Sequence, residues 1–183
     1  MRAKLGRCSL LAAFLLVSAV ATAQTEQPTA AQHFEQGLRL IESQAYAQAV
    51  PEFEAAYRLS PHPAALYNLG QAYAALNRPT LAVDAFSRML EQHAESVDSE
   101  QRRAVQELIR EQREKLGRIA ISIDPAETRV VVDGVPVEGR TIASGLDLDS
   151  GTHVVELSAP GRKSQILHVK VVAGNYRLVA HVV

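Results

Sequence analysis

From Thr29 to Gly117 the apolar residues recur at three- and four-residue spacing, whereas from Arg118 to Val183 they alternate with polar ones. The first spacing is that of amphipathic helices and the second that of half-buried strands. Asp-Gly, Ser-Gly, Pro-Gly and Gly-Asn pairs, all turn-formers, interrupt the second region. The pattern predicts an α+β chain in two domains, helical hairpins with a capping helix over 30–117 and a small antiparallel β-sandwich over 118–183. The junction Lys115-Leu116-Gly117-Arg118 has no Pro/Ser-rich linker, and Gly117 suits the left-handed residue that closes a helix. The two halves are therefore expected to abut, with little freedom between them.

Within the helical region, Thr29 offers an N-cap hydroxyl and Gln32 a side chain that reaches back, a capping box ahead of a helix over 30–43. A second helix is expected over 46–59, ending before Ser60-Pro61-His62-Pro63, where the prolines forbid continuation but suit the next helix start. Third and fourth helices follow over 64–76 and 79–93. Comparing them shows a repeat: Gly37, Ala49, Phe53 and Ala56 recur as Gly70, Ala82, Phe86 and Met89, each displaced by 33 residues. Gly37, Gly70, Ala49 and Ala82 remove side chains where paired helices cross, and Phe53 and Phe86 are expected to fill the space left between pairs.

This pattern resembles the tetratricopeptide repeat, a helix-turn-helix unit of about 34 residues. The first copy, about 30–62, carries Gly37, Leu40, Ala49, Phe53, Ala56 and Pro61 at the matching places. The second, about 63–95, carries Leu69, Gly70, Tyr73, Ala82 and Phe86, with Ala94 where a proline is expected. Two repeats leave an apolar end uncovered. The helix expected over 99–116, with Asp98 as cap and Gln101 completing the box, supplies the cover through Val105, Leu108, Ile109 and Leu116.

The resemblance implies ligand binding along the inner surface made by the first helix of each pair. Carried over from Gly37 and Gly70, that surface comprises Phe34, Leu38, Ile41 and Glu42, then Tyr67, Asn68, Gln71, Ala74 and Ala75. Phe34, Leu38, Ile41, Tyr67, Asn68 and Gln71 are the candidate partner-binding residues, suited to an extended peptide or a helix. Basic residues that would clamp an acidic C-terminus are missing, and Phe34 stands where one such lysine belongs. The competing reading buries Phe34 and Tyr67 against the N-terminal tail or the β half.

In the β region, Ile119, Ile121 and Ile123 alternate with small or polar residues, and Val130 to Val132 lead into the hairpin signal Asp133-Gly134. Further strands are expected over 152–158, 164–172 and 175–183, five or six in all. The order of Pro125, Val130, Val132, Asp133, Gly134, the run Gly151 to Leu157 and Gly161 resembles a PEGA domain, a small bacterial β-sandwich often found in envelope-exposed proteins. Ala126-Glu127-Thr128 and Thr141-Ile142 depart from that family's motifs. The resemblance implies a non-catalytic module.

The first residues carry Arg2, Lys4 and Arg7 ahead of an apolar run from Ser9 to Val20, ending in Ala21-Thr22-Ala23, which predicts a signal peptide over 1–23 cleaved before Gln24. The run is shorter than the roughly 20 residues a membrane-spanning helix needs. Residues 24–29 form a frayed tail on this reading, and the product is periplasmic or extracellular. Cys8 is the only cysteine and lies ahead of the apolar run, so the mature chain holds neither disulfide nor thiolate-bound metal. Losing Arg2, Lys4 and Arg7 takes the 19 basic residues to 16 against an unchanged 20 acidic, a net charge of −4 that disfavours nucleic acid.

No nucleophile elbow, phosphate-binding glycine loop or H-E-x-x-H zinc motif is present, so no enzymatic activity and no cofactor are expected. His153, His168 and His181 lie on three expected strands and would make a zinc site if their faces matched; isolated strand histidines are the simpler reading. Asp133, Asp147 and Asp149 near Ser150 lack the glycine and downstream glutamate of a calcium loop. The leading expectation is a non-enzymatic protein-binding scaffold of the bacterial envelope, with homodimerisation through the short array as an option. The alternatives are a cell-wall or polysaccharide-binding β domain, with Tyr176 its one aromatic, and a regulatory subunit.

Overall fold

The computed structural model describes residues 28–122 and 127–179; the expected signal peptide, most of the tail, Ile123, Pro125 and His181 lie outside them. Among the described residues five helices come first: α1 (Ala30–Glu42), α2 (Tyr46–Leu59), α3 (Pro63–Ala75), α4 (Pro79–Gln92) and α5 (Ser99–Arg113). The β half follows, with β1 (Gly117–Ser122), β2 (Arg129–Val132), β3 (Val135–Val137), α6 (Gly139–Ser144), β4 (Leu146–Leu148), β5 (Gly151–Ser158), β6 (Gln165–Val171) and β7 (Gly174–Val179). The chain is thus α+β in two parts, helical hairpins followed by two small sheets.

Local side-chain caps open α1 and α5. Thr29 and Gln32 form the reciprocal capping box, with Thr29 N–H on Gln32 Oε1 at 2.7 Å and Gln32 N–H on Thr29 Oγ1 at 3.3 Å. At α5 the Asp98 carboxylate takes the backbone N–H groups of Glu100 and Gln101 at 2.9 and 2.8 Å. At α4 the N-cap is Arg78, which makes no side-chain cap. A cap arrives instead from the β half, where Asp149 Oδ1 accepts from the Thr80 N–H and hydroxyl at 2.7 and 2.6 Å. That carboxylate also suits the positive end of the helix dipole.

Each hairpin packs around one phenylalanine. A Cβ on Gly37 would come within 2.6 Å of the Phe53 ring, and one on Gly70 within 2.5 Å of the Phe86 ring. Both rings are buried inside their own hairpins rather than between the pairs as expected, because the space each glycine opens lies within its own helix pair. One core joins them to Leu66, Leu69, Met89, Val97, Val105 and Ile109, so α5 closes the end of the second hairpin.

The β half is built from the sheets β4-β1-β7 and β3-β2-β5-β6. Among the described residues every strand pair is antiparallel except β1 with β7, which run parallel because the chain crosses between sheets before adding β7. Asp133 and Gly134, with φ of 49° and 81°, make the tight β2–β3 turn that the Asp-Gly pair predicts. Two elements were not expected, β4 and α6. The latter is a six-residue helix that puts Ile142 into a core of Ile119, Ile121, Val130, Val155, Leu157 and Val171. Isolated apolar residues in such short elements show no period.

Gly117 departs from expectation. It is not left-handed and ends no helix; it opens β1, where a Cβ would collide with the Val171 side chain and the Val172 carbonyl oxygen. The halves meet there, as Gly174 N–H donates to Leu116 O at 3.1 Å and Ser150 Oγ–H to Lys115 O at 3.1 Å.

Candidate functional site

α1 and α3 are the first helices of the two hairpins and carry the six candidate residues. Each of the two aromatics leans on the buried ring of its own hairpin. Phe34 meets Phe53 edge-on with centroids 5.7 Å apart, and Tyr67 lies tilted against Phe86 at 6.1 Å. Both stay half-buried, with their outer sides facing two hollows.

The smaller hollow, about 320 Å³, lies between the start of α1 and the junction of α2 with α3, and is lined by Ala30, Phe34, Ala56, Ser60 and Ala65. The larger, about 580 Å³, opens between α3, the end of α4 and α5; Pro61, Tyr67, Met89, His93, Gln101 and Ala104 contribute to its wall. His62 and Ala64 line both, so the two hollows are neighbours across the first turn of α3. That turn is held by Pro63 at its first position and by His62, whose Nδ1 accepts from Ala64 N–H at 3.2 Å. No charged carboxylate, lysine or arginine is among the residues lining the larger hollow.

The other candidates are placed differently. Leu38 and Ile41 are half-buried against the helical core. Asn68 spends one amide hydrogen inside its own helix, Nδ2 donating to Ala64 O at 2.8 Å, while Gln71 is exposed. Neither hollow includes Leu38, Ile41, Asn68 or Gln71. His93, Met89 and Ala104 were missed by sequence reasoning. His93 is anchored by Tyr57, with Nε2 3.1 Å from its hydroxyl oxygen and the rings edge-on at 5.8 Å. Pro61-His62-Pro63, which lines the larger hollow, was legible only as a helix boundary.

On the opposite side of α3, the Tyr73 hydroxyl donates to Glu54 Oε1 at 2.9 Å. Burial, reinforced by that carboxylate, pushes the phenol up to about 12. In the β half, His153 and His168 lie on opposite faces of the sheet, since Val154, not His153, is His168's register partner. They do not converge. Among the described residues no group of His, Cys, Asp or Glu is placed to hold a metal ion, and no helix is long and apolar enough to cross a membrane.

The tetratricopeptide repeat family model matches residues 34–97, from Phe34 in α1 through the second hairpin to Val97 ahead of α5. No curated protein matches the chain. The family match, with five helices ahead of the sheets, fits a tetratricopeptide domain carrying a β domain, and that repeat is generally a non-catalytic protein-interaction module.

Proposed function

We propose that this chain is a non-enzymatic scaffold of the bacterial envelope whose helical half captures an uncharged, partly apolar peptide segment of another protein across the hollows at Tyr67 and Phe34. The observation that carries this reading is the pair of adjoining hollows with half-buried aromatics, no charged wall in the larger one, and the repeat match over the same helices. An aromatic already braced by Phe86 or Phe53 loses little side-chain freedom when a partner covers it, which is what anchors of protein interfaces require. The lack of cations suits backbone and apolar contacts better than an acidic terminus. Export to the envelope is supported by Arg2, Lys4 and Arg7 ahead of the apolar run and by Ala21-Thr22-Ala23. A PEGA-type role for the β half rests on the residue order around Asp133-Gly134 and Gly151 to Leu157.

Ala104 is exposed on the wall of the larger hollow, so Ala104→Trp fills that space without disturbing the core. Photo-crosslinking from position 67 in intact cells, compared with the same probe at 176, identifies the partner. The reading requires a defined protein captured at position 67 and its loss in Ala104→Trp with an unchanged melting temperature. Labelling of wall glycan from position 176 alone transfers the function to the β half.

A further inference from the structure

His153 occupies an unusual position in the β half. Its Nδ1 lies 2.6 Å from Asp133 Oδ2, and its Nε2 lies 2.8 Å from the backbone carbonyl oxygen of Asp149. Both partners are acceptors, and a neutral imidazole carries only one N–H, so only the imidazolium donates to both. Asp133 is itself pinned, since its other carboxylate oxygen accepts from Val154 N–H at 2.8 Å and its own N–H donates to Val154 O at 2.9 Å. Asp149 and Ser150 form the turn that reaches the helical half, Asp149 by capping α4 at Thr80 and Ser150 through Lys115 O.

We propose that protonated His153 is a pH-operated latch, holding the Asp149–Ser150 turn on the α4 N-terminus and the α5 end, and loosening that seat when the ring becomes neutral. The neutral ring keeps its proton on Nδ1, where the Asp133 carboxylate is the stronger acceptor, and turns the Nε2 lone pair toward the Asp149 carbonyl. Two lone pairs at 2.8 Å repel, and the turn shifts away from the ring.

The charged groups acting on the ring are Asp133, from the β2–β3 turn, and Asp149. From β6 the register partner is Val169, and Lys170 pairs with Thr152 on the other face. From α4 comes Thr80, with Arg78 exposed; beyond α5, Lys115 turns its ammonium to Gln112 Oε1 at 3.2 Å. Burial works against the charged ring, but the Asp133 carboxylate and the Asp149 carbonyl outweigh it and raise the imidazole above its ordinary 6.5. A raised histidine contributes fully below pH 6.5 and loses its contribution as pH climbs through the folded-state value. Burial also opposes the Asp133 charge, yet His153 and Val154 N–H hold that carboxyl below its ordinary 3.8, so its share persists until pH falls through the lowered value.

The test is an NMR titration of the full chain, following the His153 ring protons and the hydrogen-exchange protection of the Thr80 amide. Protection at Thr80 falls about tenfold for each unit by which the imidazole is raised, and its midpoint coincides with that of the ring. Asp133→Asn, which keeps an acceptor but not the charge, moves both midpoints down together. His153→Gln leaves Thr80 protection independent of pH. Thr80 protection that stays constant while His153 titrates overturns the latch, as does an imidazole midpoint at or below that of an exposed histidine.

Discussion

Gln44 and Asn77 stand 33 residues apart and both adopt the left-handed conformation, with φ of 59° and 54°. Each closes the first helix of its hairpin, allowing Ala45 N–H to reach Leu40 O and Arg78 N–H to reach Tyr73 O at 2.8 and 2.9 Å. The repeat therefore extends to backbone conformation, at positions where neither residue is a glycine. A side chain there costs about 1–2 kcal/mol, less readily borne by Gln than by Asn. Gln44→Gly is accordingly expected to stabilise the chain by about 0.5 kcal/mol after the entropy of glycine is set against it, measured by urea unfolding. Tyr73 supplies a second residue-level expectation. With its phenol raised to about 12, the folded state binds more protons than the unfolded state above pH 10, so stability falls as pH rises from 10 through 12. Tyr73→Phe removes that part of the alkaline loss, which urea unfolding at pH 10 and at higher pH measures.

At the level of elements, the glycine and phenylalanine of each hairpin form one unit. Phe86 is backed by Tyr67, so its ring has little room to retreat from a methyl group on residue 70. Gly70→Ala should lower stability by about 1–2 kcal/mol despite better helix propensity, as read from the denaturation midpoint. A drop in melting temperature without loss of partner capture would fit a purely structural role for this pair. α4 presents the reverse situation, an element completed from far away. Asp149→Ala leaves Thr80 uncapped and is expected to cost about 1 kcal/mol, with faster hydrogen exchange confined first to the opening turn of α4. The helices were legible because their apolar stripes, prolines and caps are local signals. β4 and α6 were not, since three or six residues hold too little period to stand out, and Ile142 is buried only by what surrounds it.

For the whole molecule, the decisive features lie where the halves touch. The absence of a linker at Lys115–Arg118 correctly implied contact, but the reason attached to Gly117 was different from the one the structure supplies. Its missing side chain lets β1 pass against Val171 and the Val172 carbonyl, beside the Gly174-to-Leu116 hydrogen bond. Gly117→Val should destabilise the β half and loosen its seat on α5, seen as early loss of amide protection in β1 and β6 on mild heating. The candidate site divides in the same way. The resemblance to the tetratricopeptide repeat, carried over from Gly37 and Gly70, pointed to Phe34 and Tyr67 on the first helices of their pairs, because residues at equal helical phase share a face. Met89, His93 and Ala104 join Tyr67 only after α4 and α5 fold against α3, and no spacing within one helix relates them. Sequence by itself determined the two-part α+β layout, the repeat, the caps at Thr29 and Asp98 and the Asp-Gly hairpin, all set by interactions within a few residues or by periodic burial. Tertiary structure decided the parallel β1–β7 pairing, the walls of the hollows, and the His153–Asp149–Thr80 connection, because each joins residues whose proximity exists only once separate elements have packed.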